Sequence, residues 1–227
     1  MFREKNDFQF DLSGSSEIGG LSGFSGAWAF TDNFGINLGF DYNYKLDSFP
    51  VQISSWETGY ANRDVIHKDY DYSFIYFKPI NDYHQYEIQL GFSYVQKTVK
   101  YKSDPDPLLD FSEWGSSSNH AYSRFYIQPA IGRNGKYFDW NFATRIQLIN
   151  YHDLSYEFPL ENYQNYSDIL IEPGLTIRAG YRYIKLMAQV GLRANTRNGI
   201  YGYHDIHGGF GLIFSFNSFS KFSWRDK

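Results

Sequence analysis

Two places in the sequence bring a histidine close to an aspartate. His152 and Asp153 are adjacent, and His204, Asp205 and His207 lie close together near the carboxyl end. An imidazole beside a carboxylate can act as a general base for water, and the same atoms are ligands for transition metals. Neither place has a third reactive group at a defined spacing. The pattern therefore predicts no catalytic residue, no metal and no cofactor, and it leaves a His/Asp hydrolase as an alternative.

A second group of reactive side chains is acidic. Asp104, Asp106, Asp110 and Glu113 fall within one short segment, and their carboxylate oxygens are the kind of ligand that Ca²⁺ prefers. Their spacing does not fit an EF-hand, and the mid-loop glycine of that motif is missing. The segment therefore predicts a solvated acidic loop.

Most of the remaining charged residues alternate with apolar ones. From Ile169 to Tyr183 the apolar side chains fall on one face, and Glu172 and Arg178 fall on the other. This period of two indicates a β-strand, about 50 Å long at ~3.3 Å per residue. Strands of soluble sheets are usually shorter, at about 5–6 residues. The segment therefore predicts a strand that crosses a membrane with its apolar face toward lipid and its charges pointing inward.

The same alternation recurs in nine other segments. Their apolar positions begin at Phe8, Phe24, Ile36, Tyr70, Tyr86, Ala121, Phe138, Leu186 and Ile206. Short connections at 31–34, 81–84, 134–136 and 182–185 separate long ones around 46–69, 102–119, 153–167 and 196–205. The connection 14–20 is short, but the order of the strands places it at the same end as the long ones. After Tyr94 the apolar phase moves to Val95 and Val99, which indicates a bulge or a strand leaving the membrane.

This pattern predicts an all-β protein, a closed antiparallel up-and-down transmembrane β-barrel of ten strands, with eight strands as the alternative. Closure is expected because an open sheet edge in hydrocarbon leaves backbone groups without hydrogen bonds. An even number of strands places both termini in the periplasm of a bacterial outer membrane. We expect a single domain over 1–227, with a periplasmic segment 1–6, the barrel 7–216 and a periplasmic tail 217–227.

Composition agrees with this fold class. Aromatic residues make up 21% of the chain, yet the mean hydropathy is −0.50, as in barrels whose strands are apolar on one face only. We expect Trp28, Phe34 and Tyr137 to lie in a periplasmic aromatic girdle. No apolar run is long enough for a transmembrane helix, and the absence of cysteine excludes disulfides and thiolate sites. A net charge of −4 provides no basic field for nucleic acid.

The inward face of the predicted barrel is rich in charge. The predicted lumen cluster consists of Glu87, Arg124, Asp139, Arg145, Glu172, Arg178, Arg182 and Arg193. Long arginine side chains would fill most of a ten-stranded lumen, and buried charges must be paired. The cluster therefore predicts a salt-bridged plug, with a narrow small-solute channel as the alternative.

The long connections are not uniformly polar. Their candidate partner-binding residues are Phe49, Trp56, Leu108, Leu109, Phe111, Trp114, Phe158 and Leu160. Exposed apolar side chains in such numbers indicate either loops folded over the barrel mouth or a surface that binds another protein.

Four runs of residues resemble one known family. These are Phe2-Arg3-Glu4-Lys5-Asn6-Asp7-Phe8-Gln9, the strand–turn–strand 27–36, the run 124–132, and Ile171-Glu172-Pro173 followed by 180–185. In this order they resemble the small outer-membrane β-barrel lipoproteins and related barrels of Bacteroidota. The resemblance implies an exported Gram-negative envelope protein, and many members have a lipidated cysteine shortly before the first run. Residues 211–216 also resemble the signal that barrel-assembly machinery recognises. The family implies fold and location but no general activity.

Together these features predict a non-catalytic outer-membrane β-barrel that serves as a structural or accessory subunit of a larger outer-membrane assembly. That assembly would be an uptake, secretion or barrel-assembly complex. The expected partners are outer-membrane lipid and one or more proteins, bound through the extracellular loops or the barrel wall. The alternatives are a surface-exposed hydrolase with a His/Asp site at the barrel mouth and a narrow small-solute channel.

Overall fold

Each alternating segment of the sequence forms a strand of one antiparallel sheet. A computed structural model describes residues 6–15, 20–52, 58–102, 117–135, 137–155, 167–181, 183–195 and 205–216. Its strands are β1 (Phe8–Ser15), β2 (Gly20–Ala29), β3 (Phe34–Gln52), β4 (Thr58–Pro79), β5 (His84–Lys102), β6 (Ser117–Arg133), β7 (Phe138–Ser155), β8 (Ser167–Tyr181), β9 (Ile184–Asn195) and β10 (Asp205–Phe216).

Every strand pairs with its neighbours in the chain, and β1 pairs with β10 to close the sheet. The prediction of a closed ten-stranded antiparallel barrel is confirmed, and the eight-strand alternative is wrong. In the described ranges no helix is long and apolar enough to cross a membrane.

The two faces of the sheet have the polarity that the sequence predicts. On β8, Leu175 and Ile177 point outward with 37% and 39% of their surface exposed, while Leu170 on the opposite face is buried. The buried face also holds polar side chains such as Gln147 and Lys185. The barrel therefore has an apolar outer wall and a mixed, partly charged interior, which is the reverse of a soluble sheet.

The wall is taller on one side than on the other. Strands β3 to β7 have 17–22 residues, whereas the remaining five have 8–15. The β3–β4 hairpin stays paired as far as Gln52↔Thr58, so most of the predicted loop 46–69 is strand. Phe49 therefore lies in β3, where its backbone pairs with Ala61, and not in a loop, while its proposed contact with a protein partner stays a prediction.

The change of apolar phase after Tyr94 has a different cause from a bulge. β5 keeps one register with both β4 and β6 through this stretch, so the bulge interpretation is wrong. Val95 is 0% exposed and Val99 is also buried, on the inner face. Ile149 and Leu170 are buried near the same end of their strands. The interior therefore becomes partly apolar toward the end with the long connections.

The opposite end of the barrel has tight turns and an apolar floor. Thr31 Oγ1 accepts hydrogen bonds from the backbone N–H groups of Asn33 and Phe34, which fixes the β2–β3 turn. Asn81 Oδ1 does the same for the β4–β5 turn. Above these turns Phe77, which is 0% exposed, packs with Ala29 and Ile75. This cluster is a buried apolar group inside the barrel at the short-turn end.

Candidate functional site

The first group of inner charges lies near the short-turn end. Lys185 Nζ on β9 is 2.6 Å from Asp139 Oδ2 on β7, and both side chains are buried. The Lys185 ammonium also donates to the Gly135 carbonyl at 2.9 Å, and the Gly135 N–H donates to Asp139 Oδ1 at 2.6 Å. The backbone groups of Gly135, in the connection between β6 and β7, therefore provide further hydrogen bonds to this ion pair.

A second group lies in the middle of the barrel around Asp71 on β4. Its carboxylate accepts hydrogen bonds from the Tyr126 hydroxyl at 2.6 Å and from the Ser93 hydroxyl at 3.0 Å. The Arg145 guanidinium lies 4.2 Å from the centroid of the Tyr126 ring and 3.9 Å from Asp71 Oδ2. Arg145 Nε also donates to Gln128 Oε1 at 2.7 Å. This group links the interior faces of β4, β5, β6 and β7.

A third group lies toward the end with the long connections. Glu172 accepts hydrogen bonds from Arg193 Nε at 2.6 Å and from Gln147 Nε2 at 2.5 Å. Arg124 on β6 forms an ion pair with Asp69 on β4, over the intervening strand β5. Cations on β6 and β9 are therefore neutralised by carboxylates on β4 and β8.

The structure brings five members of the predicted lumen cluster into ion pairs or hydrogen bonds across strands, namely Arg124, Asp139, Arg145, Glu172 and Arg193. Glu87 instead accepts a hydrogen bond from Gln85 of its own strand. Arg178 has a buried Nε with no hydrogen-bond partner among the described residues, and Arg182 lies outside those residues. Asp69 and Asp71 are partners that do not belong to the predicted lumen cluster, although both alternate with tyrosines of β4.

Two prolines interrupt the backbone pairing of the wall. The β6–β7 ladder has no pair between Ile127↔Ile146 and Ala130↔Ala143, because Pro129 has no N–H to donate. The β8–β9 ladder is interrupted in the same way at Pro173, between Ile171↔Ala194 and Gly174↔Gly191.

Inner side chains bridge both interruptions. The register places Gln128 opposite Arg145 and Glu172 opposite Arg193, and these are the pairs that form hydrogen bonds of 2.7 and 2.6 Å. The inner network therefore replaces backbone hydrogen bonds that the prolines remove.

On the outer wall, polar side chains and one tyrosine form a row across four strands. The row lies at the limit of the apolar surface toward the long connections, which we call the upper end of the barrel. Backbone pairing aligns Tyr94, Ser123, Asn150 and Ser167 across β5 to β8. The row directly below consists of Phe92, Phe125, Leu148 and Ile169. We call the upper set the rim row.

One serine of the rim row forms a short hydrogen bond with a histidine of the neighbouring strand. Ser123 Oγ and His152 Nε2 are 2.6 Å apart, with Ser123 only 4% exposed and His152 on the surface. Beside them the Ser167 hydroxyl donates to Asn150 Oδ1 at 2.7 Å. His152 is thus partnered by a hydroxyl on the neighbouring strand.

The predicted His/Asp site is not assembled by the described residues. His152 on β7 and Asp205 on β10 are three strands apart, about 14 Å at ~4.8 Å per strand. His204 lies outside the described residues, as do the side chains of Asp153 and Asp205. Among the described residues no group of three histidine or acidic side chains is placed to hold a metal ion.

Other predicted residues fall where the structure gives no description. The apolar loop residues Trp56, Leu108, Leu109, Phe111, Trp114, Phe158 and Leu160 lie outside the described residues, as does the acidic segment 104–113. Their proposed contacts with a protein partner stay predictions.

Comparison with known proteins places the chain in no family. No protein-family model and no curated protein sequence matches it. Among solved structures it is similar to one described as a bacterial polysaccharide outer membrane secretin, with 12% sequence identity and a TM-score of 0.26. The match covers 96% of this chain and 100% of that chain.

Proposed function

We propose that this chain is an integral outer-membrane β-barrel with a closed lumen, which acts through its wall and its extracellular end rather than as a channel. The observation that carries the proposal is the apolar outer wall. Large exposed apolar side chains occur on the outward face of every strand whose side chains are described, from Phe8 on β1 to Phe216 on β10. A water-soluble barrel would leave such a surface in contact with water, at a large cost in free energy.

The height of this wall suits a bilayer. On β3 the outward positions from Phe34 to Tyr44 span ten residues, about 33 Å along the strand and about 25 Å along an axis tilted by ~40°. That is the height of the apolar band of outer-membrane barrels. Aromatic rings gather at its short-turn end, where Phe34 and Tyr76 lie 5.3 Å apart and Tyr137 and Tyr181 lie 5.9 Å apart. Amphipathic rings favour the headgroup level.

The connections supply an orientation. Outer-membrane barrels have short periplasmic turns and long extracellular loops. Four of the five connections of two to four residues lie at the end where β1 begins and β10 ends, and the fifth, 16–19 between β1 and β2, lies at the other end with the longer connections. We therefore assign this end, and both ends of the barrel chain, to the periplasm. The rim row then lies at the outer leaflet.

The interior supports a closed lumen. Phe77 packs with Ala29 and Ile75 at the periplasmic end, and the Lys185–Asp139 ion pair lies buried beside the β6–β7 connection. Farther up, Arg145 is held between Tyr126 and Gln128. We infer that these large paired side chains, at several levels of the described interior, block the passage of solutes of appreciable size.

Reconstitution into lipid tests both parts of this proposal. We expect the purified chain to float with lipid vesicles and to resist extraction by urea and carbonate, and to give no conductance above noise in planar bilayers. Because side chains fill the lumen at several levels, the matched variant removes them together, as Phe77→Ala, Tyr126→Ala and Arg145→Ala, and we expect it to conduct. Steady single-channel steps from the unaltered protein would contradict the closed lumen, and a chain that stays in the aqueous phase would contradict the membrane assignment.

Within this proposal we retain the role of a structural or accessory subunit in a larger outer-membrane assembly. The projecting strands support this role. Among the described strands, β3 beyond Asp41 pairs only with β4, so its other edge faces outward where another protein could bind. The test is purification from native membranes in mild detergent, where we expect stoichiometric protein partners. A chain that runs alone would count against an accessory role without affecting the membrane assignment.

A further inference from the structure

We propose that Ser123 and His152 form a nucleophile–base pair that hydrolyses fatty acyl esters at the outer surface of the membrane. The inference rests on the proposed membrane orientation and goes beyond it, since it assigns a catalytic site to the outer wall. The substrate class is a lipid with an acyl ester bond at the boundary between hydrocarbon and headgroup. The pair lies on β6 and β7, on the face of the sheet opposite the charged interior.

The contact has the geometry that general-base activation requires. Ser123 Oγ and His152 Nε2 are 2.6 Å apart, within the range of a nucleophile and its base. In the tautomer with the proton on Nδ1, the serine hydroxyl donates to Nε2, so the imidazole can take the serine proton. Ser123 is shielded from bulk water while His152 is exposed. Exclusion of water strengthens the electrostatic interactions on which acyl transfer depends.

A β-bulge places the histidine. Ser123 pairs with Asn150 and Tyr122 pairs with Tyr151, but Ala121 pairs with Asp153, so His152 is the extra residue on β7. Bulges redirect side chains and occur next to active sites. Without the extra residue, a side chain two positions above Asn150 would lie on a diagonal ~7–8 Å from the Ser123 Cβ. The bulge thus brings the His152 imidazole closer to the Ser123 hydroxyl than a regular pairing would.

The position of the pair selects the substrate. Ser123 lies in the rim row. Along each strand this row is two residues from the apolar row, which consists of Phe92, Phe125, Leu148 and Ile169. Phe125, Leu148 and Ile169 are exposed on the outer wall. An acyl chain can therefore lie along them. In a membrane lipid the ester carbonyl separates the acyl chain from the polar headgroup. A lipid whose acyl chain lies on the apolar row therefore presents its ester at the level of Ser123.

Asn150 completes the arrangement as a donor to the developing oxyanion. It is the residue directly opposite Ser123 on β7, and such pairs have Cβ atoms about 4.5–5.5 Å apart. The Ser167 hydroxyl occupies its Oδ1 at 2.7 Å, which fixes the amide so that Oδ1 faces β8. The amide donors on Nδ2 are the groups available to stabilise negative charge on the carbonyl oxygen.

The reaction proceeds in two balanced steps. The Ser123 oxygen attacks the ester carbonyl carbon, and its proton passes to His152 Nε2. When the ester C–O bond breaks, the alcohol of the lipid leaves with that proton, and an acyl-serine remains. A water molecule then attacks the acyl-serine and gives one proton to His152. The fatty acid leaves, and His152 returns the proton to the Ser123 oxygen.

The experiment uses the full chain in vesicles and measures released fatty acid by mass spectrometry. One arm contains diacyl phosphatidylethanolamine and the other lipopolysaccharide, which separates glycerophospholipid from lipid A as the source of the ester. We expect release in at least one arm. Ser123→Ala should reduce release to background, and His152→Asn should reduce it at least ~100-fold. Asn150→Ala should lower kcat about 100-fold or more with little change in KM.

Matched controls separate chemistry from folding. Ser215→Ala on the inner face and His84→Asn at the periplasmic end remove the same residue types elsewhere, and we expect both to retain full activity. Reaction with a fluorophosphonate should label Ser123 in the unaltered protein, with the label located by peptide mass. Absence of fatty acid release in both arms overturns the proposal, as does release that persists in Ser123→Ala. Flotation of the same vesicles shows separately whether the membrane assignment holds.

Discussion

On the inner face, glycine residues make room for large side chains on the adjacent strand. Gly91 on β5 directly faces Tyr126 on β6, and a Cβ added to Gly91 would overlap the tyrosine ring. Gly191 faces His207 in the same way, with a hypothetical Cβ 2.5 Å from the imidazole Nε2. The missing side chain at these positions therefore leaves room for a large ring on the adjacent strand.

Replacement of Gly91 tests this packing at one residue. Gly91→Ala should lower the free energy of unfolding by about 1–3 kcal/mol, because the Tyr126 ring must move and its hydrogen bond to Asp71 is disturbed. The measurement is urea unfolding in vesicles followed by tryptophan fluorescence. Gly26→Ala is the control, since the nearest atom to its added Cβ is 3.9 Å away. We expect the control to be neutral or slightly stabilising. Equal losses in both variants would contradict this account.

The buried Lys185–Asp139 pair gives a second prediction at the residue scale. Lys185→Met leaves the Asp139 carboxylate buried without its cation, and we expect a loss of about 3–5 kcal/mol in the free energy of unfolding. Adding Asp139→Asn should recover most of that loss, because the double variant has no unpaired charge and its amide oxygen can still accept from Gly135 N–H. Unfolding midpoints of the single and double variants decide the matter. A double variant no more stable than the single one would refute the role of charge compensation.

At the scale of the element, the interrupted ladder between β8 and β9 depends on one carboxylate. Glu172→Ala removes the bridge to Arg193 and the hydrogen bond to Gln147. Hydrogen bonds to charged groups contribute about 1.5–3 kcal/mol, so local opening should become roughly 10- to 150-fold more frequent. Amide hydrogen exchange of peptides covering 171–174 and 191–194 measures this.

Glu87→Ala is the matched control for that experiment. Glu87 lies in continuous ladders with Phe77 on one side and Ala130 on the other, and its hydrogen bond is to Gln85 of the same strand. Exchange around residue 87 should therefore stay unchanged. If Glu172→Ala left the exchange of β8 and β9 unaltered, the bridging function of the inner network would be wrong.

The strands at the short-turn end were predictable from the sequence because one face of each strand points into the barrel and the other points outward. The difference between these two environments produces the alternation of polar and apolar residues. The turns at 81–84 and 134–136 separate β4 from β5 and β6 from β7 within a few residues of the predicted limits. Beyond the apolar wall this constraint ends, and the β3–β4 hairpin lost its signal although its backbone stays paired. The short connection 14–20 was placed correctly only by counting strands.

The contact between Ser123 and His152 could not be predicted from spacing along the chain. Adjacent residues of a strand generally point to opposite faces, so His152 and Asp153 were unsuitable partners in an extended segment. The partner of His152 lies on another strand and is brought close by a single extra residue in β7. Neither the register between β6 and β7 nor the position of a bulge is specified by composition or periodicity. The one usable signal was that His152 lies at the end of a predicted strand.

At the scale of the whole molecule, the uneven height of the wall divides the barrel into two halves. Strands β3 to β7 continue past the level at which β8, β9, β10, β1 and β2 end. On the tall side β4 is paired on both edges up to Asn62, with Ser48 and Lys102 as its neighbours. A sheet that is paired on both edges resists local opening, because every exchange or cleavage event must break two ladders.

Limited proteolysis of the folded protein tests this architecture against the loop that the sequence predicts. Trypsin needs an extended, unpaired segment, so we expect the bonds after Arg63 and Lys68 to resist cleavage. Arg63 pairs with Asp47 on one side and Tyr101 on the other, and Lys68 pairs with Tyr42 and Gln96. The same protein unfolded in urea is the control and should be cut at both sites, with products identified by mass. Rapid cleavage after either residue in the folded barrel would mean that 58–69 is a loop, and that the tall side of the wall ends at the membrane surface.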